Sequence, residues 1–246
     1  MNSGYYAACA GLLARSDNLE IAANNLANIN TNGYKAQKEM FRTVLAATNP
    51  YQNALSRSVN SFGVLGGAMT DLQAGQMQFT GNDLDVAIEG PGFLTVQTKN
   101  GIRYTRNGNL QLDPKGMLTT SEGDPVLNEQ NKPMQLPPGK ISIAKDGTIS
   151  VDDATAGKLK LVEFAPGTNL PPEGKVYYSA PNGAAKVSPK SQVRQGSLEG
   201  ANMDAVSGAV SLIVIQRHAE MLQRALSIFH TEFNRIAAEE LPRAGS

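Results

Sequence analysis

The sequence predicts an α+β protein in which long N- and C-terminal helices pair as a coiled coil, with an all-β domain inserted between them. Apolar residues recur at steps of three and four near both ends of the 246-residue chain, whereas the middle of the chain alternates with period two. On this basis we predict a discontinuous helical core formed by residues 1–40 and 196–246, an extended connector at 41–80 and the all-β domain at 81–195.

The N-terminal pattern forms one narrow apolar stripe, and charged residues such as Arg15, Asp17 and Glu20 lie beside it. The predicted helix is roughly 35 Å long at ~1.5 Å per residue. A helix with so narrow a stripe is unstable alone in water, so it needs a partner helix. The stripe consists of Tyr5, Cys9, Leu12, Ser16, Leu19, Ala23 and Leu26.

The C-terminal pattern is the stronger of the two and supplies the expected partner. Asn202 is the predicted N-cap of this helix, with Asp204 in its first turn. We predict that the leucine, isoleucine and phenylalanine residues of both stripes form the subunit interface. These residues are Leu12, Leu19 and Leu26 in the first helix and Leu212, Ile215, Leu222, Leu226, Phe229 and Phe233 in the second.

A run of side-chain amides ends the first helix. Asn32 and Gly33 suit a helix C-terminus, because both tolerate the left-handed backbone conformation. The preceding Asn24, Asn25 and Asn28 are poor helix formers whose amides can donate and accept hydrogen bonds. We expect these amides to bond either a neighbouring subunit or their own backbone.

Turn signals divide the middle of the chain into short strands. Asn100–Gly101 lies between β-branched and aromatic runs, which is a strong hairpin signal. A second hairpin is expected at residues 113–116, which hold a proline at the second turn position, and a third at Asp146–Gly147. The pattern is typical of a compact all-β domain.

Composition excludes several classes of function. The 22 basic and 22 acidic residues cancel, so the chain lacks the electrostatic character of a nucleic-acid-binding protein. Cys9 is the single cysteine, which excludes an intrachain disulfide and a cysteine-based zinc site. The N-terminal sequence does not resemble a cleaved secretory signal, and the longest apolar runs fall short of the ~20 residues that cross a bilayer. We therefore expect no direct membrane insertion.

The sequence gives little support for catalysis. The two histidines, His218 and His230, lie twelve residues apart on one helix and point in different directions, so they cannot share a metal ion. Asp83 and Asp85 lie where a turn enters a strand, which is a common structural place for aspartate. We predict no enzyme activity, no cofactor and no small-molecule substrate. A surface adhesin or carbohydrate-binding module is the alternative, although the chain has no tryptophan and only 6% aromatic residues; a hydrolase is less favoured still.

Four segments resemble the bacterial flagellar rod and hook proteins, the axial proteins of the flagellum. They occur in the same order as in that family and span nearly the whole chain. The first carries the family motif residues Asn25, Leu26, Ala27, Asn28, Thr31, Gly33 and Tyr34, and the others are residues 84–93, 104–108 and 195–202. One departure is Ala219, which stands where the family usually has an aromatic residue, so looser packing is expected around it.

The resemblance implies a structural function. It implies that the terminal helices pair and that subunits stack into a tubular rod in the periplasm, which joins the motor to the hook. The size and the single β domain favour a rod subunit. Residues 157–162, the short connector after Phe41 and the turn-rich β segment are more similar to a proximal-rod subunit, with a distal-rod subunit as the alternative. The implied partners are other rod subunits and the flagellar export apparatus, with copies of the chain itself left open. Export by this apparatus would need no cleaved signal peptide.

Overall fold

The computed structural model describes residues 2–43, 63–188 and 190–240. Within these residues the chain forms two long helices and seventeen short strands. The helices are α1 (Asn2–Ala27) and α2 (Ala205–Glu240); the strands are β1 (Gln37–Thr43), β2 (Gly63–Thr70), β3 (Met77–Phe79), β4 (Val86–Glu89), β5 (Phe93–Thr98), β6 (Gly101–Thr105), β7 (Leu110–Leu112), β8 (Leu118–Thr120), β9 (Ile141–Ile143), β10 (Thr148–Val151), β11 (Ala154–Lys158), β12 (Leu161–Glu163), β13 (Pro172–Glu173), β14 (Tyr177–Tyr178), β15 (Lys186–Val187), β16 (Gln192–Gln195) and β17 (Ser197–Glu199).

The chain divides into two compact units. We call the first the helical unit; it comprises Met1–Leu26, Lys38–Ala68 and Val206–Ser246. The second, the β unit, comprises Ala27–Gln37 and Met69–Ala205. The segment after α1 therefore belongs to the β unit. The predicted three-part division of the chain stays a prediction, and residues 44–62 of its connector lie outside the described residues.

Antiparallel pairing organises the β unit. Its largest sheet has six strands in the order β13-β14-β6-β5-β12-β15, and a second sheet has the order β11-β10-β9. All three predicted hairpins are confirmed: β5 pairs with β6, β7 with β8, and β9 with β10. These turns were predictable because each depends on residues within the turn itself.

Two buried clusters fill the β unit. The larger is aliphatic and draws residues from β4, β5, β7, β8, β9, β10 and neighbouring loops, and Ile88, Leu94 and Ile149 are almost fully buried within it. The smaller is aromatic. Phe93 makes edge-to-face contacts with Phe164 and Tyr178, at ring-centroid distances of 5.5 and 5.9 Å. This packing gives the short strands a stable common core.

The helical unit contains α1, α2 and the two-stranded sheet of β1 and β2. On α1 the residues that are fully buried within the described range are Asn18 and Asn25, whereas Ser16 and Ala23 of the predicted stripe are exposed. Both polar atoms of the Asn18 amide lack a hydrogen-bond partner. Over the described residues, neither helix has a stretch that is long and apolar enough to cross a membrane.

The predicted fold class is wrong. The described chain is mainly β structure, and its terminal helices do not form the predicted coiled coil. Leu12, Leu19 and Leu26 are only half-buried, as are Leu212, Ile215, Leu222 and Leu226, whereas the core positions of a coiled coil would be closed off from solvent. Small residues interrupt the stripe of α1, and a groove of about 480 Å³ lies between the two helices instead of interlocked side chains.

Gly108 marks the tightest backbone approach in the β unit. Its carbonyl oxygen accepts a hydrogen bond of 2.9 Å from the Val86 amide. A Cβ atom on Gly108 would lie 1.7 Å from the Val86 carbonyl oxygen. The two backbone segments would have to move apart to make room for it, which would break the hydrogen bond between them.

We predict that Gly108→Ala lowers the free energy of unfolding by about 3 kcal/mol, at the upper end of the range for overpacked sites. Urea unfolding of the whole chain measures the loss. Gly157→Ala is the matched control, because its Cβ would meet only the flexible end of Met134, at 3.4 Å, and it should change the value by less than about 1 kcal/mol. Similar losses in the two variants would contradict the prediction.

Candidate functional site

Three buried charges form an ion triad at the centre of the β unit. The Glu199 carboxylate accepts a hydrogen bond from Lys35 Nζ at 2.5 Å and one from Arg106 Nη1 at 3.0 Å. The side chains of all three residues are at most 1% exposed. One carboxylate thus faces two cations, which leaves a net charge of one positive unit in the interior.

Backbone groups add further hydrogen bonds to the triad. Lys35 Nζ also donates to the Gln73 carbonyl at 2.6 Å, and the Gly75 amide donates to Glu199 Oε1 at 2.8 Å. The Arg106 guanidinium donates to the carbonyls of Ile88 and Gly90, at 3.1 and 2.5 Å, and lies 4.9 Å from the centre of the Phe93 ring. These partners replace most of the water that the charges lose on burial, although Arg106 Nε is buried without a hydrogen-bond partner.

Burial lowers the pKa of both the Lys35 ammonium and the Arg106 guanidinium, and the neighbouring Glu199 carboxylate opposes that change. The Arg106 guanidinium stays protonated at any physiological pH. The negative charge of Glu199 therefore offsets part of the free-energy cost of burying two cations in an interior of low polarity.

Hydrogen bonds to Glu199 and Tyr178 hold residues 33–35, in the last part of the first motif segment, in the β unit. The Gly33 amide donates to the Glu199 carbonyl at 2.7 Å, and the Lys35 amide donates to the Tyr178 hydroxyl at 2.9 Å. Gly33 has φ +71°, and a Cβ atom there would lie 2.2 Å from the Asn107 nitrogen. Only glycine can take this backbone conformation at so short a distance.

Asn202 does not cap α2, because the helix begins at Ala205. Its side-chain oxygen instead accepts a hydrogen bond from the Ala36 amide at 2.8 Å, and its Nδ2 donates to the carbonyls of Asp71 and Gln73. The predicted N-cap therefore joins three separate segments of the β unit.

The amide run has several environments. Asn25 is buried, Asn24 and Asn30 are exposed, and the Asn28 side-chain oxygen accepts a bond of 3.4 Å from the Thr31 hydroxyl. This local bond joins two side chains, so the expectation that the amides bond a neighbouring subunit or their own backbone stays a prediction. Asn30 also lines a cavity of about 590 Å³, with Gln76, Gln78 and residues 200–205 among its other lining residues.

The predicted interface residues lie along two helices of the helical unit, where the described ones are half-buried. The side chains of Phe229 and Phe233 lie outside the described residues. The groove between the helices is lined by Leu12, Leu13, Ser16, Leu19, Gln216, Ala219, Glu220 and Gln223. Ala219 is one of these lining residues, and the expectation of looser or compensated packing around it stays a prediction.

A second row of apolar side chains on α2 was not predicted. Val206, Val210, Ile213, Met221 and Ile228 are between 51% and 71% exposed. Large apolar side chains exposed along one face of a helix mark a surface that contacts other molecules.

The candidate catalytic residues have structural environments. Asp85 is buried, and its Oδ1 accepts a hydrogen bond of 3.0 Å from Asn109 Nδ2. His218 is exposed on α2. Among the described residues, no group of three or more His, Cys, Asp and Glu side chains is placed to hold a metal ion.

Long helices with exposed apolar side chains, together with a rigid β unit, are features of a structural protein that acts through contacts with other chains. Two family models match the sequence: that of the flagellar hook protein FlgE/F/G D1 domain over residues 87–151, and that of the flagella basal body rod protein over residues 6–35.

Individual relatives match over nearly the whole chain. The chain is 32% identical over 244 residues to the flagellar basal-body rod protein FlgF of Caulobacter vibrioides, covering 98% of each chain. It is 34% identical to FlgF of Escherichia coli, covering 92% of this chain and 94% of that one. It is 28% identical to FlgG of Bacillus subtilis, covering 86% and 89%. The chain belongs to the family of flagellar basal-body rod proteins.

Sequence reasoning missed all three residues of the triad. Charged residues are usually on the surface, and nothing in the local pattern marks these as buried. A signal was nevertheless present, because Lys35, Arg106 and Glu199 each lie inside or directly beside a different motif segment of the family resemblance.

We predict that Glu199→Gln lowers the free energy of unfolding by about 3–5 kcal/mol, because it leaves two buried cations without a counter-charge. Glu173→Gln is the matched control: it makes the same change in a partly exposed pair with Arg103 and should cost much less, because water can solvate the charge that remains. Denaturant unfolding at pH 7 compares them. A loss for Glu199→Gln no larger than that of the control would show that the triad contributes little.

We also predict a change in alkaline stability from Tyr34→Phe. Burial raises the pKa of Tyr34 from 10.0 to about 12. Between these values the unfolded chain loses the phenolic proton while the folded chain keeps it, so the free energy of unfolding falls as pH rises. Without this phenol, the free energy of unfolding should fall less steeply from pH 10 to pH 12. Parallel curves for the variant and the unchanged chain would contradict the prediction.

Proposed function

We propose that this chain is a structural subunit of the flagellar basal-body rod that assembles with other rod subunits through its two helices. The observation that carries the proposal is the full-length similarity to FlgF, which includes both helices and the β unit. The exposed apolar row of α2 gives the assembly a physical basis, since burying it against neighbouring subunits would be favourable.

The proposed mechanism is mechanical. A rod transmits torque by packing and hydrogen bonds between subunits, so each subunit must resist deformation. The β unit suits this role, because its triad and its close backbone contacts tie segments that are distant in sequence into one core. The helices supply contact surface. No chemical step is required, and we propose that the chain is not an enzyme.

We place the chain at the FlgF position, in the proximal rod, and in the periplasmic part of the basal body. Of the relatives described above, the two named FlgF cover the largest share of this chain, 98% and 92%. FlgG, the distal-rod subunit, is the second candidate, because proteins of that name are similar over 86% or more of the chain. We further propose that the flagellar export apparatus delivers the subunit to the growing rod.

We predict that Leu226→Asp prevents assembly while the β unit remains folded. Leu226 is half-buried in α2, and a carboxylate placed in an apolar contact between subunits would be desolvated without a counter-charge. The experiment uses a strain of the source bacterium from which the gene has been deleted. In that strain the variant should restore at least about tenfold less swimming than the unchanged chain does.

The neighbouring Ser227→Asp is the control, because Ser227 is exposed and receives the same charge. It should support motility and incorporation into purified basal bodies. Circular dichroism of both purified variants verifies that the β structure is intact. Normal incorporation of Leu226→Asp would refute the role of the helix contacts, and failure of the unchanged chain to restore motility would refute the proposed function itself.

A further inference from the structure

The chain contains four asparagine–glycine pairs, all in the β unit: Asn32–Gly33, Asn100–Gly101, Asn107–Gly108 and Asn182–Gly183. In such a pair the glycine nitrogen can attack the side-chain carbonyl carbon of the asparagine, because glycine has no Cβ atom to obstruct the approach. The attack closes a five-membered ring. It requires that the glycine N–H can lose its proton and that the peptide between the two residues can rotate, so the fold decides which pairs can react.

Two of the pairs are held by buried backbone contacts. The Gly33 N–H donates to the Glu199 carbonyl at 2.7 Å. The Asn107 side-chain oxygen accepts a hydrogen bond of 3.1 Å from the backbone amide two residues later, and Gly108 lies tightly against the Val86 backbone. Both glycines are buried. Ring closure at either pair would therefore force core segments apart.

The third pair lies in the hairpin between β5 and β6. Asn100 is exposed, but its Nδ2 donates to Glu173 Oε1 at 2.7 Å, and its backbone amide donates to the Thr98 hydroxyl at 3.2 Å. Gly101 pairs with Thr98 in the antiparallel ladder. Ring closure here would break the side-chain hydrogen bond and distort the end of the hairpin.

The fourth pair occupies the centre of an open turn between β14 and β15. The Ala184 amide donates to the Pro181 carbonyl at 3.0 Å, and of the two central residues only Gly183 has a positive φ, +78°, which is the pattern of a type II turn. Asn182 and Gly183 are exposed, and a Cβ atom on Gly183 would meet no atom within 4 Å.

The reacting groups of this turn are also free of hydrogen bonds. Within the described part of the chain, neither the Asn182 side-chain amide nor the Gly183 N–H has a partner. The peptide between them can therefore rotate at the cost of one hydrogen bond, the one that closes the turn.

We propose that Asn182 is a site of spontaneous deamidation in the folded chain and that the fold protects the other three pairs. The Gly183 nitrogen forms a bond to Asn182 Cγ, the Cγ–Nδ2 bond breaks, and ammonia leaves with the proton that the Gly183 amide gives up. Water then opens the cyclic imide at either of its carbonyls, which leaves aspartate or isoaspartate. The reaction needs only the chain and water, so the inference does not depend on the proposed rod function.

The modification would change both the charge and the backbone beside the largest sheet. The chain has a formal net charge of 0, and each event adds a carboxylate that is ionised at pH 7. The turn leads into β15, the edge strand that pairs with β12. Isoaspartate carries the main chain through the side-chain carbon and so lengthens it by one methylene group. It would therefore disturb the turn that positions this strand.

Peptide mapping of the purified full chain tests the proposal. Trypsin releases residues 176–186 as one peptide in which Asn182 is the only side-chain amide, and the other three pairs fall in separate peptides. The folded chain is incubated at about pH 8 and sampled over several weeks. Mass spectrometry should find that Asn182 is converted at least about tenfold faster than the asparagine of any other pair.

The same incubation in urea is the matched control, because the four pairs contain the same two residues and differ in how the fold holds them. In the unfolded chain their rates should agree within about threefold, and the rate at Asn182 should change by less than about threefold. Equal rates at all four pairs of the folded chain would overturn the proposal. An increase of about tenfold at Asn182 on unfolding would also overturn it, since the folded turn would then be protective.

A conservative variant provides an independent measure. Asn182→Gln keeps the amide, but its side chain would have to close a six-membered ring, which is much slower. Isoelectric focusing should show an acidic form that accumulates in the unchanged folded chain and is almost absent from the variant. Accumulation of this form at the same rate in the variant would place the reaction at another residue and refute the assignment. Circular dichroism verifies that the variant is folded.

Discussion

The buried carboxylate of Glu199 is the interaction on which the β unit depends. It binds Lys35 from the family motif, Arg106 from the segment after β6 and the Gly75 amide. The β unit is discontinuous, since residues 27–37 and 69–205 enter it separately, so a single carboxylate joins its parts. A buried ion pair of this kind contributes little net stability compared with apolar packing, but it strongly disfavours any arrangement in which one charge lacks its partner. Glu199 therefore specifies which segments come together.

Glycines make this convergence possible. Backbone atoms approach so closely at Gly33, Gly75 and Gly108 that a Cβ atom would lie within 2.2 Å of a neighbouring backbone atom. The charged side chains can meet only because these backbones come close together, and the hydrogen bond of the Lys35 ammonium to the Gln73 carbonyl depends on the same approach. The β unit thus combines a polar centre with an aliphatic core and an aromatic cluster. Such a unit resists deformation, which suits a subunit that carries mechanical load.

The helical unit has a different character. Its described leucines are half-buried except Leu13, which is exposed; Asn18 is buried without hydrogen-bond partners, and large apolar side chains of α2 are exposed. These features are unfavourable in an isolated subunit, because they leave apolar surface in water and an amide without partners. They are favourable in an assembly that covers the surface. The contrast supports the proposal that the β unit resists deformation and that the helices associate with other chains.

Local sequence determined much of this protein. The hairpins at Asn100–Gly101 and Asp146–Gly147 were predictable because turn residues specify backbone conformation without help from distant residues. The two helices were visible in their periodicity, and the motif segments indicated the family. The tertiary structure decided the rest. The heptad pattern did not reveal that Ser16 and Ala23 would be exposed. Periodicity records the spacing of residues along the helix, and it does not record whether their side chains are large enough to fill the space between two helices. Nor could it reveal that Lys35, Arg106 and Glu199 would meet, because the cost of burying a charge is offset only by partners that are distant in sequence.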